Sequence, residues 1–256
     1  MGAPTGERSA MRAGSARPEA VVRVEDTGPI RQVVLDRPSR KNALTIGTYR
    51  ALTAAFSEAA TNERLHVVVL SSSGWPFSVG NDFGDLLEGC QGTTDGEEFA
   101  STAGAFVRTL ASFPKPVVAA VGGLAVGAGA TILLHCDVVI AATTAAFEYP
   151  STRLGILPDA GSTVLLPTRV GLQRATEWLL FGDRVDVETA YRFGLVNSIV
   201  ARDDLAGAAM ARAEALARLP QGTVREMKRL MREPLRAAVE EAIGRELHAM
   251  SASLRA

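Results

Sequence analysis

The chain is poor in the residues that hold staples, metals or nucleic acids. It has two cysteines, Cys90 and Cys136, among 256 residues, and no Cys-x-x-Cys. A chain of this length builds a core without disulfides, so both thiols read as reduced, which fits a cytoplasmic protein. His66, His135 and His248 lie far apart with no ligand spacing, so no metal site is expected. Aromatic residues make up 5% and the formal net charge is -1. That leaves little for base stacking and no pull toward nucleic acid or an anionic membrane surface. No apolar run reaches the length of a membrane span, so no membrane partner is expected. The opening "MGAPTGERSAMRAGSARPEA" lacks the apolar segment of a signal peptide, and residues 1–18 read as a disordered tail.

What is present is a globular pattern. "VVRVEDTGPIRQVVL" reads as two strands around Asp26-Thr27-Gly28. Residues 45–60 carry helical apolar spacing, with Thr45 as candidate N-cap. "HVVVLSSS", "KPVVAAV" and "DVVIAA" are short continuous apolar runs, the mark of parallel strands covered on both faces. Residues 97–112 and "ATILLHC" read as helices between them, with His135 structural and Cys136 a packing residue. From Ser162 onward the stripes are mostly helical, ending in a long amphipathic helix. The fold class is therefore α/β.

Two glycine-rich turns, "FSVGNDF" and "GLAVGAGA", each follow a buried strand. Glycine lets backbone come close to a ligand, and N–H groups opening a helix favour negative charge. Two such turns can aim two donors at one oxygen, or serve only to pack helix on sheet. The third glycine of a dinucleotide fingerprint is missing. Ser78 lacks the glycine frame of a serine nucleophile elbow. Asp159, in "GILPDAGST", reads either as a first-turn helix carboxylate or as a working acid.

The motifs "LDRPSRKNAL", "FSVGNDF", "FPKPVVAAVGGLAVGAGATILLHCDVVIA" and "FEYPSTRLGILPDAGSTVLLPTRVG" resemble, in this order and spacing, the crotonase superfamily of enoyl-CoA hydratases and isomerases. The resemblance covers most of the chain. It implies a ClpP/crotonase-like spiral of ββα repeats over residues 19–200, with the active site in it. It also implies a C-terminal helical region, residues 201–256, that builds homotrimers or dimers of trimers. The substrate would be an acyl-CoA thioester, with no cofactor beyond the coenzyme A it carries.

By the same resemblance the backbone N–H groups of Asn81 and Ala128 form an oxyanion hole. Arg40, Lys41 and Ala43 lie along coenzyme A, although the two cations equally suit a solvated turn. Asp82 pins the oxyanion loop. Val79, Gly80, Phe83, Gly127, Thr131, Ser151 and Leu157 complete the substrate surroundings, with the acyl pocket near Phe83–Leu87.

The departures narrow the chemistry. The hydratases of this family carry two glutamates where this chain has Thr131 and Ser151. Asp159 matches the acidic position of the enoyl-CoA Δ-isomerases and of epoxyphenylacetyl-CoA isomerase-like members. Ile156, Leu157, Pro158 and Ala160 suggest an apolar wall that raises its pKa. The chain stops at "SASLRA", short of the family's usual closing segment, so contacts from that segment would come from elsewhere. The resulting expectation is an isomerase with Asp159 as proton shuttle. Its rivals are a hydratase using Asp159 with water, and a non-catalytic acyl-CoA-binding protein on the same fold.

Overall fold

The computed structural model describes residues 21–82 and 95–253. The N-terminal tail, Phe83 with the residues assigned to the acyl pocket, and Cys90 lie outside the described residues. Among the described residues, no helix is long and apolar enough to cross a membrane.

Strand β1 (Val22–Thr27) turns back on β2 (Ile30–Leu35) as an antiparallel pair. Helix α1 (Ile46–Thr61) begins where Thr45 accepts a hydrogen bond from the Thr48 N–H, the cap its sequence suggests. Strand β3 (Val67–Ser72), helix α2 (Asp95–Ala111) and strand β4 (Val117–Val121) follow. Next come β5 (Leu124–Val126), α3 (Ala128–Thr131), β6 (Val138–Ala142) and β7 (Ala146–Glu148). The chain continues through α4 (Ser162–Val170), α5 (Leu172–Phe181), β8 (Val185–Asp186), α6 (Val187–Arg192) and β9 (Ser198–Val200). It closes with α7 (Leu205–Ala217) and the long α8 (Gln221–Ser253).

Six strands form one sheet in the order β1-β2-β3-β4-β6-β9, parallel from β2 onward. Side chains alternate across it. Val68, Leu70, Val117, Ala119 and Val139 join the core under α1 and α2. Val67, Val69, Val118, Ala120 and Ile140 meet Leu205, Ala209 and Ala213 of α7 on the other face. Both faces are dry, which is why these strands read as unbroken apolar runs.

A second, three-stranded sheet runs β5-β7-β8. A single parallel bridge, Ser78 to Ala125, extends it toward the first glycine turn. The chain thus leaves the main sheet at the end of β4 and again at the end of β6, makes a short strand in the second sheet, and then turns into a helix. These are the ββα steps of a spiral. The short strands are invisible in sequence, because three residues carry no periodicity and form only when a partner lies alongside. The helix expected over "ATILLHC" is shorter and tighter: one α-turn at Ala128–Thr131, then a 3-10 turn at Ile132–His135.

Candidate active site

Glycine sets the two turns against each other. Gly80 has φ +84, and a Cβ there would lie 2.6 Å from the Val126 carbonyl oxygen and 3.3 Å from the Ala128 nitrogen. A Cβ on Gly129 would lie 2.7 Å from the Ser78 carbonyl oxygen. Only bare backbone allows this approach. The Ser78 hydroxyl is spent inside the turn, donating to the Asn42 carbonyl at 2.7 Å and accepting from the Gly80 N–H. Ala128 opens α3 behind Gly127, which has φ +51, so its N–H has no acceptor within the helix. Asp82 pairs with Arg37 at 3.3 Å, and Arg37 also donates to the Ala43 carbonyl, joining the 37–44 turn to the first glycine turn.

Asp159 faces this pair of turns across a small cavity lined by Tyr49, Asn81, Ala128, Thr131 and Ile132. Its Oδ1 accepts a hydrogen bond from the Thr131 hydroxyl at 2.6 Å. A second comes from the Asn81 side chain. Asn81 can only donate from its amide nitrogen, and its Oδ1 is already taken by the Tyr49 hydroxyl at 2.5 Å. Two donations run in series, Tyr49 to Asn81 and Asn81 to the accepting Asp159 carboxylate. Among the described residues, Asp159 is the one acid that lines the cavity.

Burial raises the Asp159 carboxyl above its ordinary value, while the bonds from Thr131 and Asn81 pull it back down. Tyr49 is held well above the usual phenol range, by burial first and by the Asp159 charge second. It stays a neutral donor. Cys136 is buried with its thiol pushed up to about 12, so it serves packing alone. His135 is buried and neutral, with its pKa lowered to about 4 by burial. Its Nε2–H donates to the Ala160 carbonyl at 2.7 Å.

The sequence-assigned residues divide. Asn81, Ala128, Thr131 and Asp159 meet at the cavity; Gly80 and Gly127 shape the turns behind it. Val79 is half-buried in the first turn. Arg40 and Lys41 stand exposed on a 3-10 turn, with Ala43 buried beneath. Ser151 precedes the 3-10 turn Thr152–Leu154 and is not among the lining residues. Leu157 is 46% exposed, so it forms no wall for Asp159. Of the wall the sequence suggests, Ala160 lines the cavity, and the rest comes from elsewhere in the chain: Ala103 and Val107 of α2, Ile132, and Ile243 and Leu247 of α8. The C-terminal region therefore shares in the site, which the sequence reading confined to residues 19–200. Tyr49, the Asn81 side chain and Ile243 went unrecognised. Tyr49 and Ile243 carry the same apolar helical signal as any core residue.

A parallel sheet that steps into a small second sheet, with one half-buried acid set against two glycine turns, defines a crotonase-fold protein. Residues 25–254 match the family model described as enoyl-CoA hydratase/isomerase, and the chain belongs to that family. It is 40% identical over 210 residues to a probable enoyl-CoA hydratase of Rhodobacter capsulatus, covering 81% of this chain and 79% of that one. It is 34% identical over 237 residues to enoyl-CoA delta isomerase 2 of Rattus norvegicus, covering 89% of this chain and 59% of that longer one. A solved enoyl-CoA hydratase/isomerase from Pseudoalteromonas atlantica T6c superposes with a TM-score of 0.85 at 31% identity, covering 92% of both chains.

Proposed function

We propose that the protein is an enoyl-CoA isomerase that moves a double bond from C3 to C2, with Asp159 as the proton shuttle. The observation that carries this is the composition of the cavity among the described residues: one carboxylate, and at Thr131 a hydroxyl bonded to that carboxylate. Adding water across a double bond needs one group to activate water and another to manage the proton at C2. A 1,3-proton shift needs one group that gives back what it took.

In this reading the thioester oxygen lies against the N–H groups of Asn81 and Ala128. Asp159 takes a proton from C2. The electron pair forms a C1–C2 double bond and leaves the negative charge on the thioester oxygen, where the two donors hold it. The protonated Asp159 then returns the proton to C4: the C3–C4 π pair becomes the new C4–H bond, the C1–C2 pair moves to form the C2–C3 double bond, and the oxygen's charge restores the C1 carbonyl. Nothing is oxidised or reduced, so no separate cofactor is needed, and coenzyme A enters with the substrate. The bonds from Thr131 and Asn81 orient the carboxylate, and burial raises it toward the working range of a base.

The test is turnover of a 3-enoyl-CoA beside hydration of crotonyl-CoA, for wild type and Asp159→Asn. Isomerisation exceeding hydration, and a loss on the order of 10²–10⁴-fold in the variant, are expected. Full rate in the variant would show that Asp159 is not the base. Faster hydration than isomerisation would favour a hydratase. Tight binding of both thioesters without turnover would favour a binding protein.

A further inference from the structure

A second carboxylate, this one buried, reaches the same turn from far along the chain. Glu246 on α8 is 6% exposed. Its Oε2 accepts from the Gly161 N–H at 2.6 Å. Its Oε1 accepts from the Thr163 N–H at 3.0 Å and the Thr163 hydroxyl at 2.6 Å. Every partner is a donor, which is the bonding pattern of an ionised carboxylate.

The backbone it grips is unusual. Ala160 and Gly161 follow Asp159 with φ of +61 and +68. Ala160 there costs on the order of 1 kcal/mol and persists only where its surroundings hold it. His135 holds the Ala160 carbonyl from one side. Val107, Val239 and Ile243 pack around Ala160, and a Cβ on Gly161 would lie 3.3 Å from Ile243 and Val239. Glu246 grips the N–H of that same Ala160–Gly161 peptide from the other side.

We propose that Glu246 is a positioning residue for Asp159, fixing from the C-terminal helix the turn that aims the acid into the cavity. This rests on Asp159 being the base. Glu246 touches the backbone beside Asp159, not the reacting atoms, so it acts through that residue. It also acts through charge. Tyr49 of α1, His135 at the end of the 3-10 turn Ile132–His135 and Glu246 of α8 surround the Asp159 loop from three elements. Of these only Glu246 can carry a negative charge, because burial keeps Tyr49 protonated and His135 neutral; burial raises the Glu246 carboxyl, the bonds from Thr163 and Gly161 pull it back down, and the Asp159 charge raises it. Two like charges disfavour each other's ionisation.

The experiment is steady-state kinetics across pH on whichever enoyl thioester the wild type turns over, for Glu246→Gln, Thr163→Val and Asp159→Asn. Glu246→Gln places an amide NH₂ against backbone N–H groups and removes the charge. Its kcat is expected to fall roughly tenfold or more with KM little changed, because the acid is misaimed and the substrate's binding groups are not. The acid limb of kcat/KM should move to lower pH, since Asp159 loses a like-charged neighbour. A merely structural cap would lower the melting temperature and leave that limb in place. Thr163→Val keeps both amides and removes one of the three bonds. It should show a smaller fall in kcat, and it carries the test if Glu246→Gln does not fold. Glu240→Gln, an exposed partner of Arg108 on the same helix, is the control.

If Asp159→Asn is inactive while Glu246→Gln and Thr163→Val keep wild-type kcat and acid limb, the positioning role is overturned and the base stands. If Asp159→Asn keeps full rate, the base is overturned and the positioning role falls with it.

Discussion

Asp159 is an acid whose character is decided by its neighbours. An exposed aspartate, with a pKa near ~3.9, is a feeble base at neutral pH. Burial raises this one, and two hydrogen bonds limit the rise. The Thr131 bond gives a direct test. Thr131→Val keeps the volume and removes the donor, so the charged form loses support and the Asp159 pKa climbs further. The acid limb of kcat/KM is expected to move to higher pH, opposite to the shift expected for Glu246→Gln. A pH–rate profile of the two variants side by side checks both signs. That Asp159 was a candidate is legible in "GILPDAGST". That Thr131 and Asn81 bond to it is not, because they lie 28 and 78 residues away and their short polar side chains announce no partner.

The elements that build the site are held by a few buried polar groups. The turn Ile132–His135 is one: His135 ties it to the Asp159 loop, and Arg169 donates to the Leu134 and Cys136 carbonyls. His135 has a folded pKa of about 4 against 6.5 when exposed. Between pH 6.5 and 4 the unfolded chain takes up a proton that the folded chain refuses. Stability then drains by up to about 1.4 kcal/mol per pH unit as pH falls. Asp159 and Glu246, both raised, oppose this loss at the acid end. Comparison with His135→Gln separates the terms. The wild type's stability relative to that variant should decline as pH falls from 6.5 toward 4, read by urea denaturation.

Helix α8 is anchored in a similar way. Lys228 and Arg232 both reach Asp137, at 2.7 Å each, and Lys228 also donates to the Lys115 carbonyl. Lys228 is pulled down to about 8 by burial, so it depends on its partner to stay charged. Asp137→Ala should cost about 3 kcal/mol in the same assay, because it leaves a buried cation unpaired. The sequence showed α8 as an amphipathic helix. It did not show which face meets Asp137, since helical periodicity places residues on a side of the helix but names no partner.

At the scale of the whole molecule, α5 leaves large apolar side chains in the open. Leu172, Leu180 and Phe181 are 71%, 58% and 63% exposed. Large apolar side chains exposed along one short helix suit contact with another copy of the chain. We propose that the protein assembles as a trimer or a dimer of trimers through surface that includes them. Light scattering coupled to size exclusion should give the assembled mass for wild type and a lower mass for Phe181→Asp. An unchanged mass in the variant would place the contact elsewhere.

The sequence by itself determined the α/β class, the buried parallel strands, the Thr45 cap, the two glycine turns and the acid between Pro158 and Ala160. Each depends on local chemistry: period, turn preference, or one residue type in a motif. Tertiary structure decided the second sheet, the donors on Asp159, the wall that desolvates it and the reach of Glu246 from α8. Those depend on which distant residues the fold brings within a few ångströms, a property of packing that no stretch of chain contains. Leu157 shows the difference. Two residues from Asp159 in sequence, it faces solvent, while Leu247, 88 residues on, lines the cavity.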